Sequence, residues 1–240
     1  TELISGTCQA YLQRTKDYYT DPQENAFSLA GTIHHNKLED SASSGMIAEL
    51  PLEYKGITGI IDLYDKESRT LIDYKNTGSY KASKILGLQH TEKEHPTEVY
   101  KRRTRGRPVG SPKIIKVFYR DPATADFGDW GWQINFYRMM LEKNNYPVEN
   151  MYVQMTIRDG GVHAAVSRGI DKNIYLVEVP YINDTILINK FLDKKRALVS
   201  SLENKTVPTV CTSEETWDGR KCKSYCPVRE ACPYTEDNNE

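Results

Sequence analysis

The sequence lacks both a long apolar run and an excess of charge of one sign. No stretch approaches the ~20 consecutive apolar residues of a transmembrane helix, and 32 Lys and Arg nearly balance 33 Asp and Glu, for a net charge of -1. These absences exclude a membrane-spanning chain and a protein that is basic over its whole surface. No charged segment followed by an apolar one opens the sequence, so we expect a cytoplasmic protein without a secretion signal.

Cysteine is also scarce, and its distribution is uneven. Four of the five cysteines fall within the last thirty residues. Such a cluster suits thiolates that hold a metal in a reducing compartment better than it suits a disulfide framework. At 240 residues the chain can bury one substantial core, so we expect one domain over residues 1–205 and a cysteine-rich tail over 206–240.

The pattern of apolar residues predicts a mixed α/β domain, in which helices flank a central mixed β-sheet. Helices are predicted over Leu3–Tyr19, Gly31–Ser41, Asp129–Asn144 and from Asn183 or Asp184 to about Leu202. Strands are predicted over Ile47–Tyr54, Ile57–Tyr64 and Thr70–Tyr74, in MYVQMTIRDGGVHAAVSRGI on either side of its Asp-Gly-Gly turn, and in YLVEVPYI. Residues 88–128 are polar and contain many Pro and Gly residues, and this composition predicts a long basic loop.

Two of the predicted strands, in GITGIIDLYDKESRTLIDYKNTG, end on acids. Asp62 closes one apolar run and Asp73 the other, and Lys75 lies two residues beyond Asp73, on the same side of a strand. Neighbouring carboxylates are costly there unless a cation neutralises them, and a hard divalent ion does so best. The hairpin therefore predicts a metal site, although a surface Lys-Asp ion pair explains so short a motif about as well. Glu49 and Glu53 could add a carboxylate, but we expect them on an exposed strand face.

Two further motifs carry polar groups on predicted helices. SLAGTIHHNKLE places His34 and His35 early in a helix, where an imidazole can complete the coordination of a cation, although a lone histidine is more often structural. WQINFYRMMLE puts Gln133 and Tyr137 four residues apart on one helical face. That pair also occurs at the rim of ordinary amphipathic helices.

The order of these motifs is more specific than any one of them. Gly-Thr-Ile-His-His is followed by GIID, by IDYK ten residues beyond Asp62, by Gln-x-x-x-Tyr and by the clustered cysteines. In this order the sequence resembles the PD-(D/E)XK nuclease superfamily, in particular the RecB-type exonuclease domain and its small phage and CRISPR-associated relatives. The resemblance runs from about Ser5 to Pro233 and implies a restriction-endonuclease-like core.

The resemblance assigns a role to each matching residue. It implies that His35, rather than His34, binds a metal together with Asp62, Asp73 and the backbone carbonyl of Tyr74. It also implies that Lys75 is the catalytic lysine, and that Gln133 and Tyr137 hold the nucleic acid and support the site.

The chemistry implied by the resemblance is hydrolysis of DNA by a metal-activated water, with Mg²⁺ or Mn²⁺ and no covalent intermediate. A histidine ligand favours Mn²⁺. The implied function is a DNA exonuclease that acts on single strands or duplex ends in phage-type recombination or end processing, in the host cytoplasm if the chain is phage-encoded. A recombination or single-strand-annealing protein would be a further partner. A non-catalytic nucleic-acid-binding adaptor with a structural metal site and a restriction-like endonuclease stay open as alternatives.

Positive charge is concentrated within the predicted loop. Eight basic residues and no acid lie between Lys101 and Arg120. We expect the first of them to guide a DNA strand, namely Lys101, Arg102, Arg103, Arg105 and Arg107. A solvated loop is the simpler explanation of such a charge run.

The cysteine tail also matches the resemblance in part. The tail cysteines have ten, three and five residues between them, which suits one tetrahedral ion or a cluster. RecB-like relatives hold an iron-sulfur cluster through one N-terminal and three C-terminal cysteines, but here Arg14 falls near the place of the first. We assign the ligands to Cys211, Cys222, Cys226 and Cys232, with Cys8 as the rival for Cys211. The resemblance favours [4Fe-4S], while zinc and free buried thiols stay open.

Overall fold

The computed structural model describes residues 2–39, 43–104 and 106–235, without the side chains of residues 24, 25, 35, 36 and 39. The chain forms two compact units. The first unit contains residues 1–75, 128–154 and 176–240, and the second contains residues 76–127 and 155–175.

The elements follow one another in a mixed order. The α-helices are α1 (Thr7–Thr15), α2 (Pro22–Glu39), α3 (Ser79–Ile85), α4 (Asp129–Lys143), α5 (His163–Val166), α6 (Asp184–Asn204), α7 (Ser213–Thr216) and α8 (Arg220–Ser224). The strands are β1 (Met46–Tyr54), β2 (Ile57–Asp65), β3 (Thr70–Thr77), β4 (Leu88–Val99), β5 (Pro112–Arg120), β6 (Asn150–Ile157) and β7 (Ile174–Glu178). Single 3-10 turns occupy Glu2–Ile4, Pro122–Thr124 and Arg229–Ala231. In the described part of the chain, each helix is too short or too polar to span a bilayer.

The main sheet has five strands in the order β1-β2-β3-β6-β7. The first three strands form an antiparallel meander, as their sequences predict. Arg69 accepts a hydrogen bond from the Glu149 amide, and Thr77 accepts one from the Arg158 amide. Because the residue numbers rise together along both strands, β6 runs parallel to β3. The predicted class, a mixed α+β fold with a central mixed sheet flanked by helices, is therefore confirmed.

Helix α4 lies in the core of the first unit. Its apolar residues Ile134, Phe136 and Met139 are completely buried, and Phe136 stacks on Phe191 of α6 with ring centroids 4.0 Å apart. Full burial of each such side chain contributes about 1.5–3 kcal/mol. The helix is thus held firmly, and the polar side chains that it carries have fixed positions.

The second unit corrects the loop predicted over residues 88–128. Strands β4 and β5 pair as an antiparallel hairpin with a register from Leu88↔Arg120 to Glu94↔Ile114 and, after an irregularity, at Val99↔Pro112, so most of residues 88–120 form a hairpin instead of a loop. The β-branched and aromatic residues of KIIKVFYR favour a strand. The prediction failed because β4 is polar on both faces, so its sequence shows no period of two.

The second half of MYVQMTIRDGGVHAAVSRGI was also predicted wrongly. After β6 the chain forms the short helix α5 instead of a strand, and the Val162 carbonyl accepts hydrogen bonds from the amides of Ala165 and Val166. Alanine has the highest helix propensity, and two alanines follow His163. Helix α2 begins at Pro22, nine residues before the predicted start, because proline suits the first helical turn.

Candidate metal centre and cysteine pocket

The β2–β3 hairpin places Asp62 beside Asp73. The last ladder pair towards this end is Leu63↔Ile72, so continuing the register sets Asp62 opposite Asp73. The Asp62 side chain accepts a hydrogen bond from the Tyr74 amide, with 2.7 Å between Oδ2 and the nitrogen. The Tyr74 amide thus donates to the Asp62 side chain, and this bond holds the Asp62 carboxylate against β3.

Asp73 is the most deeply buried acid of the site, with an exposed fraction of 1%. Its Oδ2 lies 2.7 Å from the ammonium nitrogen of Lys75. The buried Oδ1, in contrast, has no hydrogen-bond partner within the described residues. An unsatisfied oxygen on a buried carboxylate is costly, and such an oxygen is available to bind a cation.

Burial and the neighbouring charges shift the pKa values of Asp62 and Lys75. Burial, followed by the charge of Asp73, raises the pKa of Asp62 to about 7. Burial alone would lower the pKa of Lys75, but the charges of Asp73 and Asp62 outweigh it and raise that pKa. The lysine is therefore a permanent cation, whereas Asp62 gains or loses its proton near neutral pH.

The polar pair predicted on α4 lies beside these groups. Gln133 donates a hydrogen bond from Nε2 to the Tyr137 hydroxyl at 3.0 Å. Burial raises the pKa of Tyr137, and the nearby charge of Asp73 adds to the effect. A Cβ on Gly59 would lie only 2.5 Å from Cε1 of the Tyr137 ring. Because glycine has no side chain, the ring can pack directly against the backbone of β2 at this position.

Sequence reasoning missed Trp130. Its ring centroid lies 5.9 Å from the Lys75 nitrogen, close enough for a cation–π contact. A tryptophan near the start of an amphipathic helix gives no signal of such a role, because the same residue type fills ordinary cores.

Glu49 was expected on an exposed face, but it is half-buried. It is a non-glycine residue with φ of 49°, and the β1–β2 ladder skips it between Ala48↔Leu63 and Leu50↔Ile61. The skipped position faces Asp62, whose pKa the charge of Glu49 raises further. Strained backbone of this kind clusters at functional sites, whereas Glu53 on the same strand is exposed as predicted.

The histidine expected to complete the site is only partly defined. Helix α2 contacts β2, the strand that carries Asp62. The side chain of His35 lies outside the described residues, and that of His34 is half-buried. Of the predicted residues, the structure therefore brings together Asp62, Asp73, Lys75, Gln133 and Tyr137.

All five cysteines line a single cavity of about 50 Å³ in the first unit, with Leu12 and Val228 among its apolar walls. Polar contacts fix the tail over this cavity. Trp132 donates a hydrogen bond to Glu214 at 3.0 Å, and Lys194 forms an ion pair with Glu215 at 2.6 Å. These contacts join the tail to helices α4 and α6.

Cys8 and its rival Cys211 are direct neighbours. The Cys8 thiol is hydrogen-bonded to Cys211 and also to Cys232. The bond to Cys211, followed by burial, raises the pKa of Cys8. The sulfur of Cys211 also accepts the Gln9 amide, and the bond from Cys8 is the main reason why the Cys211 pKa falls to about 6.

Neither site has a completed metal geometry. Among the side chains that can be described, no group of three or more His, Cys, Asp or Glu residues is spaced to hold an ion. The buried Oδ1 of Asp73 is nevertheless the type of ligand that hard divalent cations prefer, and thiols are the type that zinc and iron-sulfur clusters prefer.

The predicted DNA-guiding residues belong to the second unit. Lys101, Arg102, Arg103 and Arg107 are exposed in the turn of the β4–β5 hairpin, and Arg105 lies outside the described residues. Their exposure suits a polyanion, and it suits a solvated turn equally well.

Comparison with known proteins gives no relative on which to base an assignment. No protein-family model matches the chain, and no curated protein matches it.

Proposed function

We propose that the protein is a metal-dependent deoxyribonuclease, an exonuclease with a restriction-endonuclease-like core and a cysteine-bound metal or cluster in its tail. The observation that carries this proposal is the buried Asp73 carboxylate, whose Oδ2 lies 2.7 Å from the Lys75 ammonium while its Oδ1 has no hydrogen-bond partner among the described residues. A purely structural ion pair normally satisfies its remaining lone pairs. The Oδ1 of Asp73 instead has no partner among the described residues, as expected of an oxygen that binds a cation.

Each residue of the site has a defined task in this proposal. Asp62, Asp73, His35 and the Tyr74 carbonyl would hold Mg²⁺ or Mn²⁺, which when bound polarises a phosphodiester and lowers the pKa of water. The Lys75 ammonium stays charged and can stabilise negative charge on a phosphoryl oxygen or orient the attacking water. Gln133 supports the Tyr137 hydroxyl beside these charges.

The substrate would be DNA, as single strands or duplex ends. The exposed arginines and lysine of the hairpin turn would contact phosphates, so binding should weaken as salt rises. Trp130 beside Lys75 offers a ring on which a base could stack. Phage-type recombination or end processing, with a recombination or annealing protein as partner, is the setting that the sequence resemblance favours.

The cysteine pocket would have a structural role. An iron-sulfur cluster is the preferred occupant and zinc the second. Visible absorption of the purified protein, together with metal analysis, separates the two, because only the cluster is coloured.

The direct test of the proposed function is degradation of end-labelled DNA with Mg²⁺, Mn²⁺ or a chelator. We expect Asp73→Asn to abolish metal-dependent degradation while circular dichroism shows an unchanged fold. Asp65→Asn is the matched control, because Asp65 ends the neighbouring strand and its carboxylate accepts hydrogen bonds from Ser68 and Glu67. Cleavage of circular DNA would instead identify an endonuclease, and DNA binding without cleavage an adaptor.

A further inference from the structure

The cysteine pocket contains one thiol more than a tetrahedral site uses. Three cysteines come from the segment around α8, Cys8 comes from α1, and Cys211 comes from the chain before α7. An ion or a four-thiolate cluster needs four of these five ligands. One of the five cysteines is therefore surplus to any such site.

Cys211 contacts the start of α1. Its sulfur accepts the Gln9 amide, one of the free donors in the first turn of that helix. Gly6, the N-cap residue, makes no side-chain cap, and a Cβ on it would lie 2.4 Å from the Cys211 sulfur. The tail sulfur thus occupies the place of a missing capping side chain.

This placement brings two thiols from distant parts of the chain into hydrogen-bonding contact. Cys8 is 1% exposed, whereas Cys211 is half-buried and within reach of a small reagent. We propose that Cys8 and Cys211 form a reversible disulfide that links α1 to the tail when no ion occupies the pocket. This inference does not depend on nuclease activity.

The reaction is thiol–disulfide exchange with a low-molecular-weight disulfide such as oxidised glutathione. The Cys211 thiolate attacks one glutathione sulfur, and the other glutathione leaves as a thiolate. The Cys8 thiolate then attacks the Cys211 sulfur and releases the second glutathione. Two protein thiols are oxidised and one glutathione disulfide is reduced to two molecules of glutathione, whose thiols take up the two protons that the protein thiols lose.

The experiment uses the full-length protein treated with a chelator and then with oxidised glutathione. Alkylation followed by mass spectrometry counts the remaining thiols, which should fall from five to three. Peptide mapping should find Cys8 joined to Cys211, and a reductant should restore all five thiols. A link between any other two cysteines as the main product would overturn the proposal.

Two pairs of variants test the geometry. Cys211→Ser should remove the link, whereas Cys226→Ser, in the same pocket, should keep it. Gly6→Ala should slow its formation on the order of tenfold, because the added methyl displaces the Cys211 sulfur. Gly31→Ala is the control, since nothing lies within 4 Å of its Cβ position. Equal rates for the two glycine variants would contradict the inference.

A final arm tests competition with an ion. Incubation with Zn²⁺ before the oxidant should prevent the Cys8–Cys211 link, because an ion that takes one of these thiols as a ligand removes it from the pair. Unchanged oxidation in Zn²⁺ would overturn the claim that ion and disulfide exclude each other. Neither result bears on DNA cleavage, so failure here is distinct from failure of the proposed nuclease.

Discussion

The acid site and the cysteine pocket are the two proposed metal sites, and they differ in how far the protein itself satisfies their polar groups. In the pocket, the thiols hydrogen-bond to one another and to a helix amide. At the acid site, Oδ2 of Asp73 lies 2.7 Å from the Lys75 ammonium, while the buried Oδ1 has no hydrogen-bond partner among the described residues. Thiols tolerate an apolar cavity, whereas an unsatisfied oxygen on a buried carboxylate is costly. The comparison therefore locates the more costly unsatisfied group at the acid site, and a bound cation is our proposal for what satisfies it.

After the complete loss expected for Asp73→Asn, removal of the lysine should have the largest effect. We expect Lys75→Met to lower DNA cleavage by about 10³-fold, because the charge that stabilises the phosphoryl oxygens is lost. Titration calorimetry should show that Mn²⁺ still binds, since its ligands are unchanged. The exposed Lys84, substituted in the same way, should leave cleavage unaltered. A Lys75 variant with activity within tenfold of the parent would place the chemistry elsewhere.

The affinity for Mn²⁺ should depend steeply on pH. Because the Asp62 pKa is about 7, the ion must displace a proton below that pH. We expect the affinity to fall by about tenfold per pH unit below 7 and to level off above it. Calorimetry at pH values from 5 to 8 measures this profile. A flat profile would mean that Asp62 is not a ligand.

Neutralising Asp62 should stabilise the metal-free protein. Asp62 keeps its proton up to about pH 7 in the folded state, compared with 3.8 in a model compound, so folding stability falls as pH rises between these values. At pH 8 without divalent ions, Asp62→Asn should therefore raise the free energy of unfolding by about 1–3 kcal/mol. Denaturant titration checks this.

In the cysteine pocket, replacing a candidate ligand should not raise the free energy of unfolding at pH 8 without divalent ions. Cys226→Ser replaces a half-buried thiol with a hydroxyl, which tolerates an apolar wall less well. For the acid site, an Asp62→Asn variant that is less stable than the parent at pH 8 would contradict the claim that burial and the charge of Asp73 make an ionised Asp62 unfavourable.

The smallest predicted effect concerns Glu49. We expect Glu49→Gln to weaken Mn²⁺ binding by about tenfold, because a carboxylate facing Asp62 adds to the attraction of a cation. Glu53→Gln on the same strand is the control and should bind normally. Tighter binding by the Glu49 variant would show that this acid only repels Asp62.

Local patterns sufficed to predict the β2–β3 hairpin and α4. The alternation around Ile61 and Leu71 and the four-residue spacing of Gln133 and Tyr137 are properties of single segments. The strand β4 was missed because its two polar faces erase that alternation. Tertiary packing decides the rest.

The positive φ of Glu49 and the contact of Trp130 with Lys75 are features that depend on tertiary packing and could not be predicted from local patterns. The meeting of Cys8 with the tail is another, because its partner Cys211 lies 203 residues away in sequence. No periodicity reports such contacts, since they depend on how separate elements pack.

Anomalous diffraction from a crystal soaked in Mn²⁺ tests the cation site most directly. We expect a peak between the carboxylates of Asp62 and Asp73, at about 2.1 Å from an oxygen of each. The same map should show whether the His35 imidazole reaches the ion. A map without a peak there, with the two carboxylates turned apart, would contradict the proposal that these acids hold a catalytic cation.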